Sequence, residues 1–117
     1  MKRVDFEGVR EIALSFPGVE EGTSYGTPAF RVRKKLIARM WEDLETVVVR
    51  AEWDERDTLL ETDPDAFFLA DHYRDHPWIC IRLARVQPDA LREVFATAWR
   101  RAASKKLLAE YDATESA

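Results

Sequence analysis

Phe16-Pro17-Gly18, Tyr25-Gly26-Thr27-Pro28 and Ala29-Phe30-Arg31-Val32-Arg33 follow one another in the stretch whose reading decides the fold. Three of the chain's four glycines and two of its five prolines fall within it. Glycine permits positive φ, whereas proline fixes φ and removes a donor, so the stretch predicts a helix stop, a tight turn and entry into an edge strand. Before it, Asp5 is placed to cap a helix running to about Ser15, with Val9, Ile12, Ala13 and Phe16 on one apolar stripe. After it, the pattern alternates from Ala29 to Ala51. Phe30 and Val32 alternate with Arg31 and Arg33, Lys34-Lys35 makes a turn, Leu36 to Trp41 is a second strand, and Glu42-Asp43 turns into Thr46-Val47-Val48-Val49. Connections this short pair strands only antiparallel, which gives a β-meander.

Working outward, Trp53-Asp54-Glu55-Arg56-Asp57 predicts a helix start with acid in its first turn, ending near Thr62 and closed by Asp63-Pro64-Asp65. Ala66 to Leu69 reads as a short turn or strand. Trp78 to Leu83 is a clearer strand, with Ile79, Ile81 and Leu83 on one face and Trp78, Cys80 and Arg82 on the other. Pro88 begins a last helix striped with Leu91, Val94, Phe95, Ala98, Trp99 and Ala102, which must dock on the sheet. Strands and helices do not alternate regularly, so the class is α+β: a two-layer α/β sandwich whose antiparallel sheet carries helices on one face. The other face is then expected to be wet, with Arg31, Arg33, Arg39 and Trp41 or Trp78 on it.

The chain has 117 residues, the size of one domain, read as residues 1–111 with a frayed tail at 112–117. Charged residues make 34% and the net charge is −4, which excludes a protein that is basic all over and confines any nucleic-acid role to a local patch. Cys80 is the single cysteine, so no internal disulfide forms, and its apolar neighbours predict a buried, inert thiol. No apolar run follows Met1-Lys2-Arg3 and none approaches the roughly 20 residues that cross a bilayer. The expected location is the cytoplasm, with no membrane partner.

Together, Phe16-Pro17-Gly18-Val19-Glu20-Glu21, Tyr25-Gly26-Thr27-Pro28-Ala29-Phe30-Arg31-Val32, His76-Pro77-Trp78 and Ala98-Trp99-Arg100 resemble the MmcQ/YjbR family over about residues 5 to 108. That resemblance implies a two-layer α/β fold in a double-wing arrangement, related to CyaY-like and secretion-chaperone-like folds. It also implies DNA binding, the role for which members are labelled. Ser24 and Thr27 stand where members often carry histidine and a second aromatic, so no histidine site is implied there.

Among site candidates, Arg31, Arg33, Lys34, Lys35 and Arg39 put five positive charges and no acid on one hairpin, a nucleic-acid-binding wing with DNA as the expected partner. The competing explanation is an edge protected by charge against pairing with other chains. Arg100, Arg101, Lys105 and Lys106 form a second basic group, read as lying on the last helix, while residues 52 to 65 carry seven acids against Arg56 alone. Asp71, His72, Asp75 and His76 have ligand chemistry, but Pro77 disfavours the helix that would bring the histidines together, and no metal or cofactor is expected. No phosphate loop, Gly-x-Ser-x-Gly elbow or zinc spacing occurs, so the reading is a non-enzymatic binding module. Two alternatives stay open: a chaperone-like adaptor that binds a protein partner on the open sheet face, and a small-molecule or metal site between the Tyr25-Gly26 turn and the Asp71 to His76 loop.

Overall fold

The computed structural model describes residues 4–116. Helix α1, Phe6–Leu14, starts where the Asp5 carboxylate accepts a hydrogen bond from the Gly8 N–H at 2.8 Å, and it buries Val9, Ile12 and Ala13. Gly18, at φ +76, then turns the chain into β1, Val19–Ser24. Tyr25 and Gly26 both take positive φ, as do Arg33 and Lys34. Each pair forms a two-residue turn whose twist matches that of the flanking strands, linking β1 to β2, Thr27–Val32, and β2 to β3, Lys35–Met40.

The remaining elements are β4, Thr46–Arg50; α2, Trp53–Thr62; β5, Phe67–Phe68; a single 3₁₀ turn, Asp71–Tyr73; β6, Trp78–Arg82; α3, Pro88–Ala102; and α4, Lys105–Ser116. The six strands form one sheet in the order β1-β2-β3-β4-β6-β5, antiparallel at every step. The α+β reading and its antiparallel sheet hold.

Two expectations about the sheet need correction. The edge strand is β1, so β2 lies inside the sheet. β1 offers almost no apolar alternation because Glu20, Glu21, Gly22 and Thr23 are all exposed, a composition suited to an edge that must not pair further. The hairpin turn is Arg33-Lys34, one residue earlier than Lys34-Lys35. Between Phe30 and Arg31 the pairing slips past Ile37, and this bulge lets the consecutive residues Ile37 and Ala38 both be buried.

The core lies between the sheet and the helices. Phe30, Ala38, Val49 and Ile79 line up across β2, β3, β4 and β6, as do Met40, Val47, Ile81 and Phe67 across β3, β4, β6 and β5. On this surface α3 lays Leu91, Val94, Phe95, Ala98 and Trp99, with Phe95 edge-on to Phe30 at 6.5 Å between ring centres. Helix α4 is separate from α3: the backbone turns extended at Ala103, so Lys105 and Lys106 stand on a second helix and not on the one that carries Arg100 and Arg101, and α4 continues through Asp112, where a tail is expected; Ala117 lies outside the described residues. Its signals were present. The Ser104 hydroxyl accepts from the Leu107 N–H at 3.2 Å, and Leu107, Leu108 and Tyr111 share a helical face that packs on the core.

Trp99 joins the helices. It is fully buried, stacks on Phe16 at 5.6 Å, meets Tyr111 at 5.0 Å, and donates its indole N–H to the Pro17 carbonyl at 2.8 Å. The chain bend at Pro17 is thereby locked to α3. Trp99→Ala is expected to cost about 3 to 5 kcal/mol of stability, the range for emptying a large aromatic site. Trp99→Phe keeps most of the packing but orphans the Pro17 carbonyl, at a cost of about 1 to 3 kcal/mol. Urea unfolding of the three proteins measures both, and a Trp99→Ala loss under 1 kcal/mol contradicts this account.

Candidate functional site

The second face of the sheet is not open at its centre. A row crosses all six strands there, Gly22, Ala29, Arg39, Val48, Cys80 and Phe68, in which Ala29, Val48 and Cys80 are fully buried. The cover is the connection between β5 and β6, which carries Ala70, His72 and Tyr73 over the sheet. This corrects the expectation of a wet face at its centre.

What holds so polar a connection over an apolar surface is Arg56. This α2 side chain is buried, and its Nη1 donates to the carbonyls of Tyr73, Arg74 and His76 at 3.3, 3.1 and 2.9 Å. The ring of Trp53 lies 4.5 Å from the guanidinium carbon on the same helix. Trp53 itself is 45% exposed. The single cation in the acidic stretch from 52 to 65 is thus a structural clamp. Replacing it by methionine should cost about 1.5 to 3 kcal/mol, the value of hydrogen bonds from a charged donor. The same substitution should speed amide exchange across residues 70 to 77 while leaving α3 protected. Unchanged exchange in that connection would show that the clamp is dispensable.

Arg39 stands in the middle of the face, half-buried on β3. Its Nη1 donates to the Tyr73 hydroxyl at 3.0 Å, while Nε and Nη2 reach the Thr27 hydroxyl at 3.4 Å. The Tyr25 ring lies 5.5 Å from its guanidinium carbon. Two hollows meet at this residue, and they share Arg39, His72 and Tyr73. One, of about 160 Å³, is also lined by Tyr25, Leu36, Val48 and Trp78; the other, of about 430 Å³, by Trp41, Glu42 and Asp43. The Tyr25-Gly26 turn and the Asp71 to His76 loop therefore do face each other across a pocket. Sequence could supply its residues but not their meeting, since Tyr25 and Tyr73 are separated by four strands and a helix. Among the described residues no three His, Cys, Asp or Glu side chains converge to hold a metal, and His72 meets Tyr73 edge-on at 4.9 Å.

The basic hairpin divides. Arg33, Lys34 and Lys35 are exposed at the turn. Arg31 folds back to donate to the Thr23 carbonyl at 3.0 Å and pairs across strands with Glu20. Arg39 belongs to the pocket, so the five cations do not make one wing. A different grouping forms instead. Lys35 lines a cavity of about 420 Å³ together with Arg50 on β4 and Arg101 on α3. Leu107 of α4 and Val32 both flank Gly18, which sets the exposed Lys105 and Lys106 near the same end of the sheet. The hairpin and the second basic group, some seventy positions apart in the sequence, share one end of the molecule. Acids moderate it: Arg101 is bound to Glu55 at 3.0 Å and Arg50 lies 3.9 Å from Glu52.

Burial pushes the Cys80 thiol above its ordinary range, against the opposing effects of a backbone hydrogen bond from Ala70 and the charge of Arg82. The unfolded chain releases this proton more readily. Stability should therefore fall as pH rises past the ordinary thiol value of about 8.5, because only the unfolded state ionises there. Cys80→Ala should remove that part of the alkaline slope, and native protein should react with a thiol reagent only at the rate of local opening. Stoichiometric labelling within seconds at pH 7.5 would contradict the burial.

The sequence profile of the YjbR family matches residues 14–101, which include β1 through α3 up to Arg101. No curated protein matches the chain. Among solved structures, the crystal structure of Deinococcus radiodurans protein DR2400, with domain DUF419, is similar with a TM-score of 0.74 at 15% identity, over 92% of this chain and 88% of that one. That likeness extends to the fold.

Proposed function

The chain belongs to the YjbR family, and on that premise we propose that it is a small non-enzymatic binding module that contacts DNA phosphates through its basic end. What carries the reading is the exposed set of Arg33, Lys34 and Lys35 at one turn and Lys105 and Lys106 at the start of α4, with Arg50 and Arg101, each beside a glutamate, lining one cavity with Lys35. Long cationic side chains at one end of a compact domain can reach successive phosphates without any base contact. The net charge of −4 makes the approach oriented, since the opposite polarity of the acidic surfaces turns the basic end toward a polyanion. Affinity is weak and strongly salt-dependent on this account.

Three to five phosphate contacts give a slope of log affinity against log salt of about −3 to −4.5, at roughly 0.9 per phosphate neutralised. Lys34→Asn with Lys35→Gln removes two of them, and asparagine tolerates the positive φ at position 34. The expected result in a salt titration of labelled duplex is a slope flatter by about two units with unchanged sequence preference. Arg39→Gln should leave the slope as it is, because Arg39 is turned to the pocket. No association at low salt, or a slope indifferent to the double substitution, would defeat the reading.

A further inference from the structure

We propose that Arg39 anchors a second site, on the opposite sheet face from the helices, that binds a small aromatic carboxylate. Arg10, Arg50, Arg74, Arg100 and Arg101 each have a carboxylate within 4.0 Å. Arg56 and Arg82 are engaged by backbone carbonyls. Arg39 has neither: among the described residues its partners are two hydroxyls, those of Tyr73 and Thr27, and the ring of Tyr25. A half-buried guanidinium with only neutral partners keeps its attraction for an anion, and its forked donors match a carboxylate in two bonds.

The space beside it fits one ring. The hollow of about 160 Å³ is close to the roughly 150 Å³ that accepts benzene in an engineered protein core. Leu36 and Val48 give it aliphatic walls, Tyr25 and Trp78 aromatic ones. An apolar body with one charged end is the ligand such walls and such an anchor select together. Charge then discriminates among anions. Glu42 and Asp43 line the adjoining hollow on the other side of Arg39, so a ligand carrying several phosphates would bring like charges together. A single carboxylate avoids that repulsion.

Tyr25 is the independent observation. It is 90% exposed and held at φ +53, in a turn position that favours asparagine or glycine. In the free protein an aromatic side chain there strains the backbone and gains almost no burial. A ring bound between Tyr25 and Trp78 would supply the missing contact, with Arg39 already positioned beneath Tyr25.

The test titrates the full-length ¹⁵N-labelled chain with sodium benzoate, with its neutral isostere benzamide, and with inorganic phosphate. No nucleic acid enters, so the outcome is separate from that of the phosphate-contact reading. Benzoate should shift the amides of Arg39, His72 and Tyr73 saturably, with benzamide and phosphate each at least tenfold weaker. Arg39→Gln should weaken benzoate about tenfold or more, the factor expected when charged hydrogen bonds are lost. Tyr25→Asn suits the backbone and removes only the exposed ring, and it should weaken benzoate several-fold even if Arg39→Gln proves unstable. Equal response to benzoate and benzamide, preference for phosphate, absence of saturation, or unaltered affinity in Tyr25→Asn would each overturn the site.

Discussion

A sheet of six strands has two faces to keep from water, and the helices of this chain cover only one. The other is dried by a short connection full of polar backbone, which would lift away without an internal donor for its carbonyls. Arg56 is that donor. By holding the carbonyls of Tyr73, Arg74 and His76 it lets Val48 and Cys80 stay buried, and it sets Tyr73 where its hydroxyl accepts from Arg39. Its cost is visible in the Nε atom, which is buried with no hydrogen-bond partner. An arginine with one unmet donor is tolerated because removing it would strand three acceptors.

The two candidate surfaces follow from the same geometry. β2 and β3 run between two turns at opposite ends of the sheet, Tyr25-Gly26 at one and Arg33-Lys34 at the other. Cations near the second turn have solvent on most sides and long reach, which suits phosphate contact at a distance. Arg39, deeper in β3, is confined by neighbours and suits recognition of one small group. One strand thus contributes to two chemistries, separated by burial more than by residue type.

Packing between the helices follows a similar economy. Trp99 satisfies its indole N–H on the carbonyl of Pro17, the residue that ends the first helical segment, so the bend of the chain and the seat of α3 are fixed by one contact. Helix α4 adds Tyr111 to the same cluster, and the exposed Arg100 lies over that ring at 5.2 Å while donating to Asp112 at 3.0 Å. The aromatic groups of three separate segments meet there, with the indole N–H paired.

Local signals determined much of this protein: the stripe on α3 and the alternation of β6 follow from side chains three, four or two positions apart, the cap at Asp5 from residue type, and the antiparallel meander from connections too short for a crossover. The glycines and prolines between Phe16 and Pro28 marked the turns but hid β1, because an exposed edge strand has no apolar alternation to reveal it. Signals for α4 lay in Ser104, Leu107, Leu108 and Tyr111 and were legible in principle. The role of Arg56, the division of the hairpin cations and the meeting of Tyr25, Arg39, Tyr73 and Trp78 were decided only by tertiary structure. Each depends on which strands become neighbours and what crosses a face, and those are contacts between residues far apart in the chain, on which spacing along the sequence imposes no condition.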